Sequence, residues 1–464
     1  MEITSDFGKI PWYHFPSGVF VMKTFALIVF GCQMNVYDAD RLRTQLIAEG
    51  WTETSQEDAE VLLFVTCSIR EKAEQKVWSL IGRFQKKWDS QKKPHMAIVG
   101  CMAQRVGEKL MKRFPGIFMV AGPRHLGVVF SGIQKFFSQG EKSIFLDEDP
   151  RGLEDLHCPP LCRPNPWKAY ITIAHGCDNF CTYCIVPYVR GRFQSREPED
   201  ILQEARSLIE QGVLEITLLG QNVNSYGTDR KDTWTFPRLL RECAALPGLR
   251  RLRFATNHPK DLSPEVISVM AEGAPVICPA LNLPIQSGSD EVLKKMNRGY
   301  TVEQYASIIS LLREAMPHVG ITSDLIVGFP GESEEDFQSS LEVLRRFRFD
   351  LVHSAAYSPR PGTSSASMEQ ELSREDLFHR LHEVNSLQSK IALEKNEKLA
   401  GTLQDVLFDA LAPRGENLLQ GRTPTDKVVL VPGNEDFLGR FGKVRILSGE
   451  HWCLRGEVEE LEPR

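Results

Sequence analysis

Three times in the first third of the chain, an apolar, β-branched run ends at a cysteine and gives way to apolar positions spaced by three and four. The runs are residues 24–30 before Cys32, 60–66 before Cys67, and 96–100 before Cys101. The stretches that follow, at about 37–49, 69–85 and 103–113, carry the helical period. Strand–helix alternation predicts a parallel sheet, and ligands of such open sheets sit outside the carboxyl ends of the strands. Cys32, Cys67 and Cys101 are therefore expected along one edge. One cysteine ending a strand is most often a small buried residue; three in the same position point to a site.

A second alternation follows the Pro-rich stretch Cys158-Pro-Pro-Leu-Cys-Arg-Pro-Asn-Pro166, which reads as a linker. Strands are predicted at 169–174, 215–220, 251–255, 279–284, 320–327 and 351–357, with helices at 197–211, 264–272, 302–315 and 334–347. Six β/α units predict a partial barrel, two short of the eightfold form. A helical pattern over 373–398 leads into short β-like runs at 402–407, 428–431 and 442–447. Gly-Arg and Pro-Gly turns break these runs, as in a small antiparallel barrel. The expected fold is thus α/β: a parallel α/β domain (22–138), a linker (139–162), a central partial (β/α)6 barrel (163–393) and a small antiparallel β-barrel (396–460).

Composition changes this picture little. Hydrophobic residues at 42% and charged residues at 25% are ordinary for a folded globular chain. The apolar stretch at 25–30 falls far short of the roughly 20 residues a membrane helix needs. No secretory pattern precedes it, and a cytoplasmic location is expected. In a reducing compartment, eleven cysteines argue for metal or catalysis before disulfides. A net charge of −6 excludes a chain that coats nucleic acid non-specifically, so any RNA contact is local and shaped. Residues 396–460 carry 8 Lys or Arg against 11 Asp or Glu, which is not the balance of a basic grip.

Chemistry concentrates in His175-Gly-Cys-Asp-Asn-Phe-Cys-Thr-Tyr-Cys184, just after the first strand of the central domain. Cys177, Cys181 and Cys184 fall in a loop at the carboxyl end of a barrel strand, where such folds build active sites. Three thiolates can hold a four-iron cluster and leave one iron open to substrate. Structural zinc, closed by four ligands, is the alternative, with Cys158 and Cys162 available to complete it. Their spacing across a Pro-rich linker lacks the two-residue gap of a zinc knuckle, which favours iron–sulfur.

The Cys-x3-Cys-x2-Cys spacing with Tyr183 before its last cysteine resembles the radical S-adenosylmethionine superfamily. That resemblance implies a cluster whose open iron chelates S-adenosylmethionine and whose electron splits the sulfonium to a 5′-deoxyadenosyl radical. Further segments resemble the MiaB-type methylthiotransferase family: Gly31-Cys-Gln-Met-Asn35 with Tyr37-Asp38, Thr66-Cys-Ser-Ile-Arg-Glu-Lys72 and Gly100-Cys-Met-Ala103. In the central domain the matching segments are Gly176 through Arg190-Gly-Arg192, Leu219-Gly-Gln-Asn222 with Tyr226-Gly227, Leu283 through Ser289, Met296-Asn-Arg-Gly-Tyr300 and Asp324 through Gly331. Gly421-Arg-Thr423 and Leu454-Arg-Gly456 are similar to the TRAM module that contacts RNA.

The family resemblance, over residues 22–460, implies two [4Fe-4S] clusters: a radical cluster on Cys177, Cys181 and Cys184, and an auxiliary cluster on Cys32, Cys67 and Cys101 that takes part in sulfur delivery. It implies two S-adenosylmethionine molecules per turnover, one donating a methyl group and one cleaved to the radical. The implied reaction is methylthiolation at C2 of N6-isopentenyladenosine beside the anticodon, position 37, in tRNAs reading codons that begin with U. The implied partners are that tRNA, an electron donor such as flavodoxin or ferredoxin, and a sulfur source, for a monomer with no membrane contact. Gln33-Met34 after the first cysteine selects the MiaB type. The alternatives are the same chemistry on an aspartate of a small-subunit ribosomal protein or on threonylcarbamoyl-adenosine tRNA, and a non-catalytic zinc-bearing RNA-binding protein.

Val65, Asn257 and Asn282 depart from the family pattern, where Asn, Ser and His are usual. Gly328-Phe-Pro-Gly331 lacks the Gly-Lys-Ser/Thr ending of a phosphate loop and reads as a turn near the adenosylmethionine pocket. His379 and His382, and the run Lys86, Lys87, Lys92 and Lys93 with Trp88, read as solvated surface. Cys243, Cys278 and Cys453 read as packing residues. Arg190, Arg192 and Arg196 are expected to grip phosphate beside the reaction centre. The resemblance begins near Met22, so translation is expected to start there or residues 1–21 to be dispensable.

Overall fold

Val61–Thr66 is buried at every position, as a central strand covered on both faces must be. It pairs in parallel with Thr24–Val29 on one side and His95–Gly100 on the other. In the computed structural model, which describes residues 23–68, 71–146, 159–413, 415 and 417–463, these three strands lie within a six-stranded sheet. Its order is Thr52–Glu53, Thr24–Val29, Val61–Thr66, His95–Gly100, Ile117–Ala121 and Ser143–Phe145, all parallel. Cys158 and residues 1–21 lie outside the described residues. Ser143–Phe145 falls in the stretch expected to be linker, where three half-exposed residues leave no alternation to read. Helix Gln33–Ala48 begins four residues before its predicted start, because Cys32 is extended and supplies its N-cap. Cys101 is itself the first residue of helix Cys101–Arg113.

The six central strands Lys168–Thr172, Glu215–Leu219, Arg251–Phe254, Ala280–Asn282, Gly320–Val327 and Leu351–Ala356 run parallel and in chain order as two three-stranded ladders. A bridge between Leu252 and Ile277 joins the ladders, giving the expected partial (β/α)6 barrel. Ile171, Ile216, Leu252, Leu281, Ile321 and Leu325 fill its core. Capping boxes at Thr301, Ser333 and Ser373 fix the starts of helices Val302–Ala315, Glu334–Phe347 and Arg374–Glu397. Among the described residues no helix is long and apolar enough to cross a membrane.

The last domain is a closed barrel ordered Leu403–Leu411, Leu418–Arg422, Val428–Pro432, Leu454–Leu461 and Phe441–Gly449. It is not wholly antiparallel: Val428–Pro432 and Leu454–Leu461 pair in parallel, because the chain crosses the barrel to close it. Of the Gly-Arg pairs, Gly439-Arg440 is a turn, with Gly439 at φ +76°. Gly421-Arg422 instead lies in a strand, where a Cβ on Gly421 would stand 2.6 Å from the Leu407 carbonyl.

This barrel docks on the amino ends of the central strands, opposite the Cys177 loop. Lys168, Glu215 and Arg251 each open a strand. Glu215 forms ion pairs with Lys168 Nζ at 3.0 Å and Arg253 Nε at 3.0 Å. Arg251 reaches on to Asp405 Oδ2 at 3.2 Å and the Arg422 carbonyl at 2.7 Å, and Lys168 to Asp409 at 2.8 Å. Burial alone would push the Glu215 carboxyl up, but Arg253, Lys168 and Arg251 outweigh it and hold the group at about 2. Its stabilisation is therefore complete above the ordinary 4.5 and fades as pH falls towards about 2. Glu215→Gln, which removes the buried carboxylate that three cations share, should cost about 3 kcal/mol at neutral pH. Chemical denaturation of the two proteins should show that gap narrowing below pH 4.5; a gap independent of pH would contradict the assignment.

Candidate functional site

The amino-terminal cysteines meet because glycines let their strand ends approach. Gly31 and Gly100 sit at φ +109° and +100°. A Cβ on Gly31 would lie 2.3 Å from Cys67 Cβ, and one on Gly100 would lie 2.6 Å from the Thr66 carbonyl. Cys67 and Cys101 are buried and Cys32 is partly so. A hydrogen bond from Cys67 lowers the Cys32 thiol to about 5 against the opposing effect of burial, and Arg190 assists. The helix that starts at Cys32 adds its positive end. Burial pushes the Cys101 thiol up, opposed by Arg190.

The second trio hangs on a loop that other elements hold from outside. Gly176 sits at φ +71°, where a Cβ would lie 2.0 Å from the Arg192 carbonyl. The Met296–Tyr300 segment forms the cradle: Thr182 N–H donates to the Met296 carbonyl at 3.0 Å. Asn297 Nδ2 donates to the carbonyls of Asn179 and Phe180 at 3.2 and 3.1 Å. Buried Arg298 donates to Cys181 Sγ at 3.4 Å, the Pro284 carbonyl at 3.0 Å and Tyr300 Oη at 3.1 Å. Burial lifts Cys177 to about 11 and Cys184 to about 12, and repulsion from Cys181 adds to both. Three thiols that oppose one another's ionisation form a donor set completed by a cationic centre. Among the described residues no three His, Cys, Asp or Glu side chains close around a single ion. Cys162, the other described cysteine of the zinc alternative, is a half-buried free thiol whose backbone N–H donates to Thr44 Oγ1 at 2.8 Å.

The two trios face one interdomain seam. Ile185 and Val189, directly after Cys184, pack on Cys101, while Met34 and Tyr37, directly after Cys32, pack on Leu219. Arg190 closes the seam: Nε donates to Cys101 Sγ at 3.2 Å, and Nη2 to Asn35 Oδ1 at 3.0 Å and Asp38 Oδ2 at 3.4 Å. The phosphate-gripping expectation is thereby corrected for two of the three arginines. Arg190 is 4% exposed, and Arg196 is turned inward to Glu204 at 2.9 Å and the Thr172 carbonyl. Arg192 remains exposed, paired to Asp178 at 2.7 Å.

Beside the Cys177 loop, the carboxyl ends of the central strands carry a polar floor. Asn257 Nδ2 donates to the Asn282 carbonyl at 2.8 Å, and Asn282 Nδ2 to Asp324 Oδ2 at 2.9 Å, so two of the departures from the family pattern bond to each other. Val65, the third, is a fully buried strand residue. Gln221 Oε1, Asn222 Oδ1, Asn224 Nδ2, Asn257 Oδ1 and His258 Nε2 are buried without a hydrogen-bond partner. Burial, with Arg298 and Lys260, lowers His258 to about 2 and keeps it neutral. Such orphaned atoms fit a polar ligand rich in donors and acceptors, as S-adenosylmethionine is. Gly328–Gly331 lies close by, with Phe329 packed beside Tyr183 and Met296. Away from the site, His379 pairs with Glu383 at 2.9 Å, Lys87 meets Glu57, and Cys243 and Cys278 are buried packing residues.

A partial parallel barrel with a Cys-x3-Cys-x2-Cys loop at its carboxyl ends defines a radical S-adenosylmethionine enzyme. Family models agree: the radical SAM superfamily matches residues 171–344, the uncharacterized protein family UPF0004 residues 24–122, and the TRAM domain residues 397–458. The chain is 42% identical over 451 residues to the tRNA-2-methylthio-N(6)-dimethylallyladenosine synthase of Caldicellulosiruptor saccharolyticus, covering 96% of this chain and 94% of that one. It is 40% identical over 440 residues to the synthase of that name from Moorella thermoacetica, covering 94% and 98%. A radical S-adenosylmethionine methyltransferase, TsrM from Kitasatospora setae, shares the fold, with a TM-score of 0.54 at 16% identity over 82% of this chain and 78% of its own. The chain belongs to the family of tRNA-2-methylthio-N(6)-dimethylallyladenosine synthases, radical methylthiotransferases that carry an iron–sulfur cluster and use S-adenosylmethionine.

Arg190→Met removes the cation but keeps much of the side-chain length. It should cost about 3 kcal/mol by taking the buried cation away from Asp38 and Cys101, and Asp38→Asn in the same chain should restore part of it. Denaturation midpoints of the single and double variants check this; additive losses would show that the two side chains act separately.

Proposed function

We propose that this chain methylthiolates C2 of isopentenylated adenosine next to the anticodon of tRNA, using two four-iron clusters. What carries the reading is the meeting of two thiol trios at one seam, each touched by one buried arginine, in a chain of this family. Cys177, Cys181 and Cys184 would hold the radical cluster and Cys32, Cys67 and Cys101 the auxiliary one. With S-adenosylmethionine bound, these groups supply homolysis of an unactivated C–H bond and a methylated sulfur for transfer.

The protein's own part is positioning. Met296–Tyr300 fixes the loop of the first trio, and Arg190 fixes the third thiol of the second against the same loop. Neutral His258 and the unpartnered amide oxygens of Asn222 and Asn257 offer hydrogen bonds to S-adenosylmethionine without adding charge. Ile185 and Val189 line the seam with apolar surface, which excludes water from the space between the trios. An electron donor of the flavodoxin or ferredoxin class, a separate sulfur source, a monomeric state and a cytoplasmic location complete the proposal.

Anaerobically purified protein should contain about eight irons per chain, falling to about four when either trio is changed to alanine. In a strain lacking the protein, tRNA hydrolysates analysed by mass spectrometry should lose the methylthio nucleoside and accumulate isopentenyladenosine. Persistence of the methylthio nucleoside overturns the substrate; four irons in the unchanged protein overturns the second cluster.

A further inference from the structure

Two aromatic rings face solvent beside the Cys177 loop, in a segment that otherwise buries its apolar residues. Phe180 is 39% and Tyr188 51% exposed, whereas Cys181, Ile185, Val186 and Val189 are each at 9% or below. The rings meet edge to face, with centroids 6.2 Å apart at 79°. Phe180 holds φ +46°, a left-handed conformation rarely taken by a bulky residue and a mark of functional constraint. Asn297 maintains it by donating to the Asn179 and Phe180 carbonyls. Arg192 lies 5.6 Å from the Phe180 ring centroid, held there by two bonds to Asp178 at 2.7 and 3.0 Å. Strained backbone, a dedicated amide and a pinned guanidinium thus keep Phe180 turned outward at the carboxyl end of the barrel, with the Tyr188 ring against it.

A base that is to react must leave its stack, and the unpaired bases beside it then need new faces to lie on. Aromatic rings flanked by arginine supply such faces. A protein partner would ask for a broader apolar patch, whereas Asp178, Asn179, Arg192 and Asn297 border these rings closely. We infer that Phe180 and Tyr188, with Arg192, form a stacking platform for the unpaired anticodon-loop nucleotides flanking the target adenosine. This inference rests on the tRNA reading above.

The test is anisotropy of a labelled anticodon stem-loop carrying isopentenyladenosine, titrated anaerobically with cluster-loaded full-length protein. Tyr188→Ala and Phe180→Ala should each weaken binding about tenfold, and Tyr188→Phe and Phe180→Trp by no more than about twofold. The salt dependence of Kd should keep its slope in every variant, because stacking releases no counterions. Iron content is measured on each sample; Tyr188 lies outside the Cys177–Cys184 loop and decides the matter should Phe180→Ala lose iron. Unchanged binding by Tyr188→Ala, or equal weakening by Tyr188→Ala and Tyr188→Phe, overturns the platform. Equal binding of the unchanged protein to this stem-loop and to a hairpin of unrelated loop sequence overturns the tRNA reading, and the platform with it.

Discussion

A guanidinium sealed between two domains cannot be hydrated, so every donor it turns inward has to find an acceptor. Arg190 finds them on three residues of the neighbouring domain: Cys101, Asn35 and Asp38. The same bonds that hold the domains together therefore place a positive charge against a thiol. Domain closure and thiolate stabilisation become one event. Arg298 does the corresponding work for Cys181 from within the central barrel, anchored on the Pro284 carbonyl and Tyr300. Each trio is thus balanced by one cation built into the scaffold, which suits sites that gather thiolates in a low-dielectric interior.

The central barrel keeps its two ends chemically distinct. At the amino ends of the strands, the three cations Lys168, Arg251 and Arg253 are balanced by Glu215 together with Asp405 and Asp409 of the last domain. At the carboxyl ends, Asn222, Asn257 and His258 keep polar atoms unpartnered. Paired charge marks the joint and unpartnered neutral polar groups mark the binding floor, with an apolar core between them.

Much of this was legible from the chain. The strand-ending cysteines and the six-unit alternation depend on local periodicity, and helices 264–272, 302–315 and 334–347 match the structure residue for residue. Short or half-exposed elements were not legible: Thr52–Glu53 and Ser143–Phe145 owe their pairing to neighbouring strands rather than to their own pattern. The arginines show the limit most clearly. Arg190, Arg192 and Arg196 read alike as basic residues after a cluster loop, yet one bonds a thiol, one turns into the core and one stays outside. Only the partners Asp38, Glu204 and Asp178 distinguish them, and Asp38 lies on another domain, 152 residues away in sequence. Asn297 and Arg298 could be noted as part of a motif, but their task of holding another loop's backbone has no trace in spacing.

The ionic seam beneath the barrel also fixes a length. The last domain is clamped to the amino ends of strands whose carboxyl ends lead to the Cys177 loop, and Lys168–Thr172 alone spans about 16 Å at about 3.3 Å per residue. An RNA that touches both the small barrel and the loop has to wrap the flank of the central domain rather than sit on one face. The molecule acts as a calliper: its jaws are set by buried charge, and a free nucleoside or a few linked nucleotides would reach one jaw without the other.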